Sequence, residues 1–351
     1  MTVQSSGSGT APIDLDVLLS PEWLAAHIPG EADSAITGVS VVEKLKTVAT
    51  KVRFRIDHAD GAARHLCVKG YFEDPGRLSP GTGRTEANFY VHLAPSLSIT
   101  IPHAVYAAFD AAVPHSVIVM DDLVAAGSVF FSALSPFSVE QSAATLDEMA
   151  RFHAGHWGDT AAIGAMPWLY GDAVKLGTPF GLDEHQGLLD DPRTDGLPAA
   201  LRDAAAVRRS YAQFLAAAGR EVPCLVHADA HVGNLYRTPD DGIGIIDWQL
   251  VQSSWWALDV AYHVGAALPT DDREKSERDL VAHYVECLRR YGVTDAPDAE
   301  AAWRGYRMGL AYGYFLWSIT RRVDPPITIE YTQRLGKAVT DHGSFELLEA
   351  S

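Results

Sequence analysis

Apolar residues alternate with polar ones over short runs in the first third of the chain and recur at three- and four-residue steps in the last two thirds. The first pattern is that of half-buried strands, the second that of amphipathic helices. Strands are predicted over residues 39–46, 52–57, 66–72, 105–109 and 117–120. One helix is inserted among them over residues 85–93, after a glycine-rich loop at 79–83; its spacing puts Phe89, Tyr90 and Leu93 on one face. Further helices are predicted over residues 138–156, 198–219, 256–267, 271–291, 299–321 and 328–341, the first opening on the cap-like Ser138-Val139-Glu140-Gln141. Residues 158–198 are rich in glycine and proline and show no readable period. The implied class is α+β, with a small antiparallel-sheet N-terminal lobe carrying one helix and a larger helical C-terminal lobe.

Composition narrows the setting. A chain of 351 residues that is 47% hydrophobic can fill a large core. The formal charge of −17 argues against nucleic acid, which needs clustered Lys and Arg. No apolar run approaches membrane-spanning length, so no membrane partner is expected, and residues 1–12 read as a disordered Ser/Gly tail. Cys67, Cys224 and Cys287 are too scattered for a disulfide framework, which points to the cytoplasm.

The candidate chemistry lies in His227-x-Asp229 and Asn234, followed by Ile245-Ile246-Asp247-Trp248. A hydroxyl attacking a γ-phosphate needs an acceptor for its proton, and Asp229, after a short strand over residues 224–226, is placed for that. Mg²⁺ takes hard oxygen ligands, and an amide plus a carboxylate suit it, so Asn234 and Asp247 are the metal candidates. Asp240-Asp241-Gly242 reads as the turn of a hairpin between them. Upstream, the apolar strand ending at Lys69 supplies a phosphate lysine, and Glu86 on the inserted helix is its ion-pair partner. Cys67 lies two positions before Lys69 and shares its face, toward the adenine. Met120, Asp121, Asp122 and Leu123 form the hinge, at residues 120–125, whose backbone groups face the adenine edge. Residues 13–122 are thus the nucleotide-binding lobe, and residues 126–351 carry the catalytic loop.

The residues His227 to Asn234, Ile246-Asp247-Trp248-Gln249, Trp256 to Tyr262 and Met120 to Leu123 together resemble the aminoglycoside phosphotransferase and choline kinase superfamily. Gln249, the Asp-Leu hinge and the ending Phe345-Glu346-Leu347-Leu348 are most similar to its ecdysteroid-kinase-like branch. The resemblance runs from about Val39 to the C-terminus. It implies a two-lobed protein-kinase-like fold and an ATP- and Mg²⁺-dependent kinase acting on a hydroxyl of a small-molecule acceptor: an aminoglycoside, choline-like amine, sterol or hydroxy acid. It makes His227 a prop of the catalytic loop and Asp259 the residue that holds that loop from the next helix. The chain departs from the family at residues 44–51, which contain no glycine; Thr47 and Thr50 offer hydroxyls and N–H groups to phosphate there.

Aromatic residues divide between packing and pocket. Phe152, His153, His156 and Trp157 read as packing. Trp303, Tyr306, Leu310, Tyr314 and Trp317 lie along one helix and read first as core, with Tyr306, Tyr314 or Trp317 as an alternative acceptor wall. Two other function classes fit parts of the pattern. A non-catalytic nucleotide-binding pseudokinase would explain the glycine-free loop, and a His227/Asp229/His231/Asp247 metal hydrolase would leave Lys69 and Glu86 without a role. Protein kinase activity is not expected, because no D-F-G or A-P-E segment follows Asp247.

Overall fold

The computed structural model describes residues 11–46, 49–72, 80–113, 115–171 and 181–351, the side chain of Pro80 excepted. The tail expected over residues 1–12 falls outside them, apart from Ala11 and Pro12, and so does Thr47. The chain forms two compact units, one of Met1–Leu97, Ile101–Val129 and Ile246–Leu250, the other of Ser98–Thr100, Phe130–Ile245 and Val251–Ser351.

The first unit opens on two short helices that the periodicity did not announce, α1 (Leu15–Leu18) and α2 (Pro21–His27). Their signals are local: Asp14 and Ser20 cap them through side-chain oxygens, and Pro21 occupies the first position of α2. An antiparallel sheet follows, built from β1 (Ile36–Lys46), β2 (Thr50–His58), β3 (Ala63–Gly70), β4 (Ala104–Asp110) and β5 (His115–Asp121) in the order β1-β2-β3-β5-β4. Val52, Phe54 and Ile56 of β2 and Leu66 and Val68 of β3 point to one face and make a core with Trp23, Leu24, Tyr106, Val117 and Val119. The other face of β3 therefore presents Cys67 and Lys69.

The inserted helix starts earlier than its pattern indicated. α3 covers Pro80–Asn88 and continues as a wider π-type turn over Phe89–Leu93, so Gly81 and Gly83 belong to the helix and not to a preceding loop. Gly83 is required there for space: a Cβ would lie 2.5 Å from Ser116 Oγ and 2.8 Å from the Tyr71 ring. The chain leaves this unit through β6 (Val129–Phe130).

The second unit is mainly helical. α4 (Val139–Ala154) begins with a full capping box, the Ser138 side chain accepting from Gln141 N while the Gln141 side chain accepts from Ser138 N. The unreadable segment holds α5 (Thr160–Gly164) and α6 (Leu182–Leu189). The helix expected from residue 198 begins instead at α7 (Ala204–Ala218), because Asp203 caps the amides of Ala205 and Ala206. β7 (Cys224–Val226) leads to the hairpin of β8 (Leu235–Arg237) and β9 (Ile243–Ile245), in register Leu235↔Ile245 and Arg237↔Ile243, and β10 (Gln252–Ser254) pairs with β7. α8 (Ala257–Ala267), α9 (Thr270–Arg290), α10 (Ala299–Ile319), α11 (Pro325–His342) and α12 (Ser344–Glu349) complete it. Every residue of α8 is buried, which makes it the central helix of the unit. Among the described residues no helix is long and apolar enough to cross a membrane.

Candidate active site

In the first unit the lysine at the end of β3 meets two carboxylates. Lys69 Nζ donates to Glu86 Oε1 at 2.9 Å and to Asp247 Oδ1 at 2.8 Å, with Lys69 7% and Glu86 2% exposed. Burial by itself would push the ammonium's pKa down, but the Asp247 and Glu86 charges outweigh it and hold Lys69 well above its usual value, fully cationic. Glu86 is pushed up by burial and by Asp247, against the pull of Lys69. Asp247 is fixed by its neighbour: Trp248, fully buried, stacks on Phe89 of the π-type turn at 4.2 Å between centroids and 5° between planes. Asp247 itself takes the left-handed conformation, φ 66°, which turns the chain sharply after β9.

Cys67 is half-buried on the Lys69 face and pairs across the ladder with Met120. Burial, then the Asp122 charge, pushes its thiol up to about 11, so it is an uncharged contact surface and not a nucleophile. At the hinge, Asp121 N donates to His103 O and Asp122 N to His65 O, while Asp122 O accepts from Ala126 and Leu123 O from Ser128. At Asp122 the side chain is engaged as well as the backbone. Its buried carboxylate takes Arg53 Nε at 3.0 and 2.9 Å and caps the amides of Val124 and Ala125. Thr50 is buried at the start of β2, paired with Gly70.

In the second unit the loop after β7 is shaped by its own side chains. His227 Nδ1 accepts from Asp229 N at 3.1 Å, His231 Nδ1 from Gly233 N at 3.1 Å, and Asn234 Nδ2 donates to the Asp229 carbonyl at 2.8 Å. That last bond orients the Asn234 amide, leaving its oxygen as the metal-type donor. Asp229 Oδ1 accepts from the Tyr262 hydroxyl at 3.3 Å and has His231 Nε2 at 3.6 Å. With Nδ1 of both histidines accepting loop N–H groups, His227 and His231 serve loop geometry, which removes the main support for a metal-hydrolase cluster. Ala228 is held at φ 67°, a left-handed conformation that costs an alanine about 1–2 kcal/mol. The loop is held from outside as well: Asp259, fully buried, accepts from His227 N at 2.6 Å and Ala228 N at 2.8 Å, and Tyr312 donates to the Ala228 carbonyl at 2.8 Å.

The acceptor wall requires a correction. Tyr306 and Tyr314 are fully buried, with their hydroxyls given to Glu277 Oε2 and the Leu201 carbonyl, both at 2.6 Å, so neither lines an open pocket. Trp317 stands beside the catalytic loop, 5.2 Å from the His231 ring, and Tyr331 and Tyr262 complete an aromatic surround at 5.3 and 6.1 Å. Tyr262, Tyr312 and Tyr331 were not singled out in the sequence; Tyr262 alone had a signal, one turn beyond Asp259. Asp147, His283 and Cys287 also bring ligand-type atoms within 4.8 Å of one another. Asp147 is already taken by Arg290, Arg151 and Tyr291, and His283 Nε2 by the Ala143 carbonyl, so that group is a satisfied hydrogen-bond cluster.

The fold is similar to that of known proteins. The structure resembles an ethanolamine kinase of Plasmodium vivax, with a TM-score of 0.52 at 11% identity over 92% of this chain and 86% of that one. Weaker likenesses are a choline kinase of Streptococcus pneumoniae, TM-score 0.47 at 12% identity over 87% and 94%, and an aminoglycoside phosphotransferase of Alicyclobacillus acidocaldarius, TM-score 0.44 at 15% identity over 88% and 92%. No curated protein sequence matches the chain. The profile of the phosphotransferase enzyme family matches residues 79–303, well over half of the chain, and the protein belongs to that family.

Proposed function

We propose that this phosphotransferase is an ATP- and Mg²⁺-dependent kinase that phosphorylates a hydroxyl of a small molecule in the cytoplasm. The observation that carries the reading is the buried Lys69, held charged between Glu86 and Asp247. A cation kept in place at such desolvation suits a polyphosphate, whose charge is neutralised without any rearrangement of the protein. Asn234 and Asp247 offer the hard oxygen donors that would hold Mg²⁺, which when bound neutralises charge on the β- and γ-phosphates. Backbone groups of the hinge, Met120 to Leu123, would read the adenine edge, with Cys67 and Met120 packing on the ring. Asp229 takes the proton of the attacking hydroxyl and orients its oxygen, itself oriented by Tyr262.

Calorimetric titration of Mg·ATP into wild type, Asp247→Ala and Asp229→Asn tests this reading. Binding is expected in wild type and in Asp229→Asn, with a loss of tenfold or more in Asp247→Ala. Asp229→Asn should lose about 10²–10⁴-fold of the transfer rate to any acceptor found by an ATP-consumption screen. Absence of binding at millimolar ATP would favour the non-catalytic reading. Turnover of Asp229→Asn at the wild-type rate would sink the assignment of the base.

A further inference from the structure

The face of β3 that carries Cys67 and Lys69 receives no apolar side chain from β2. Val52, Phe54 and Ile56 are fully buried in the core on the opposite side, so alternation puts Lys51, Arg53, Arg55 and Asp57 on the Cys67 face, and the register sets Arg53 directly across from Cys67. After burial, the charges that act on the Cys67 thiol are those of Asp122, Lys51, Arg53 and Lys69, so a ring packed on Cys67 meets charged neighbours. Arg53 is fixed toward the hinge. Its Nε donates to Asp122 Oδ1 and Oδ2 at 3.0 and 2.9 Å, and its Nη1 donates to Glu43 Oε2 at 2.8 Å. The Asp122 side chain is 1% exposed and that of Arg53 18%, which gives the guanidinium a buried anchor and leaves it open to a ligand. Arg55 turns instead to Asp57 on its own strand, and Lys69 to Glu86 and Asp247. With edge donors given to two carboxylates, the Arg53 guanidinium keeps its flat faces for contact, and a guanidinium is a weakly hydrated cation that stacks on aromatic rings.

We propose that Arg53, anchored by Asp122, binds the purine ring of the nucleotide beside Cys67 by cation–π stacking, and so supplies the ring contact for which β2 has no apolar side chain. The proposal rests on the kinase reading, since it needs a nucleotide on this face. The two cations divide the ligand between them: Arg53, across from Cys67 and bound to the hinge carboxylate, serves the base, and Lys69, bound to Glu86 and Asp247, serves the phosphates.

The experiment compares two ligands, Mg·ATP by calorimetry and Mg·tripolyphosphate, which has no base, by competition with Mg·ATP. Both are measured on wild type, Arg53→Gln and Arg53→Lys. Gln keeps a planar group that can still donate to Asp122 but carries no charge; Lys keeps the ion pair and loses the plane. Arg53→Gln should bind Mg·ATP about tenfold more weakly, the loss of one partly desolvated cation–π contact, while tripolyphosphate stays within a factor of two of wild type. Arg53→Lys should fall between the two, about threefold weaker for Mg·ATP. A purely structural role for Arg53 would not separate the two ligands in this way. Mg·ATP affinity within a factor of two of wild type in both variants overturns the proposal and leaves the kinase reading standing, and so does an equal loss for the two ligands, which would assign Arg53 to the phosphates. Where Arg53→Gln fails to fold, Arg53→Lys decides by the same comparison. A wild type that binds Mg·ATP no more tightly than tripolyphosphate also overturns the proposal, because the base is then not held. A wild type that binds neither ligand removes the kinase reading and the proposal together.

Discussion

Lys69 is the residue whose energetics are most exposed to test. Removing it leaves Glu86 and Asp247 facing each other in a buried setting with no cation between them. Truncating one member of a buried ionic group costs about 3–5 kcal/mol, because the remaining charge keeps its desolvation cost and loses its compensation. Lys69→Met should therefore destabilise the protein by about that amount in urea unfolding, whereas Lys69→Met with Glu86→Gln should be the more stable of the two variants, having one buried charge fewer. A double variant that is less stable than the single one would show that Glu86 does not depend on Lys69. This pair was legible in the sequence, because a lysine ending an apolar strand and a glutamate on the next helix are local features. Asp122 and His153 were not legible as partners. Asp122 reads as one acidic residue of a hinge until Arg53, 69 positions away, is seen to reach it, and His153 reads as packing until the fold brings Asp259 to its ring.

At the level of elements, the catalytic loop depends on how closely α8 and α10 approach, since α8 carries Asp259 and Tyr262 and α10 carries Tyr312 and Trp317. Gly305, Gly309 and Gly313 of α10 make that approach possible. A Cβ on Gly309 would lie 2.3 Å from the Ala257 carbonyl oxygen and 2.7 Å from Ala261 Cβ, and one on Gly313 would lie 2.8 Å from the Tyr262 ring. Gly309→Ala gains about 1 kcal/mol of helix propensity but drives a methyl into backbone that cannot yield, which should leave a net loss of about 2 kcal/mol. Gly187→Ala, in α6 with nothing within 4 Å of the added carbon, should instead stabilise by up to about 1 kcal/mol. Opposite signs for the two changes in thermal unfolding are the expected result; a loss for both would mean that space at the α8–α10 contact is not what decides. Most strands and long helices were readable because their period is set by burial on one side, as Val52, Phe54 and Ile56 illustrate. α1 and α2 were missed because helices of four and seven residues are too short for a period to register and are carried by their caps. The start of α3 was missed because its glycines read as loop, when Gly83 is there to let the helix lie against Ser116 and Tyr71.

For the whole molecule, the histidines buried in the second unit set how stability responds to acid. His263 on α8 is fully buried between Ser142 Oγ and the Ala230 carbonyl, and burial lowers its pKa to about 4. His185 on α6 is lowered to about 4 by burial and by the nearby Arg208 and Arg193. Both start from an ordinary value of 6.5, so between pH 6.5 and 4 the unfolded chain binds protons that the folded one refuses. Stability contributed by these rings is complete above pH 6.5, falls as pH falls through that window and is gone below about 4; the full effect is on the order of 3 kcal/mol per ring. Two other effects run the opposite way. The net charge of −17 shrinks toward zero as pH approaches 5.2, which relieves self-repulsion, and Glu86, raised by burial, favours the folded state when it takes a proton. The absolute pH profile mixes all of these, and a difference between variants separates them. His263→Gln should lower stability at pH 7.5, where the bonds to Ser142 and Ala230 are disturbed, yet lose less than wild type on going from pH 6.5 to 4. Urea midpoints taken across that range should converge toward the acid end. Parallel curves would show that His263 is not among the groups that take up protons as the protein unfolds, and would leave the acid sensitivity to His185 and the remaining half-buried rings.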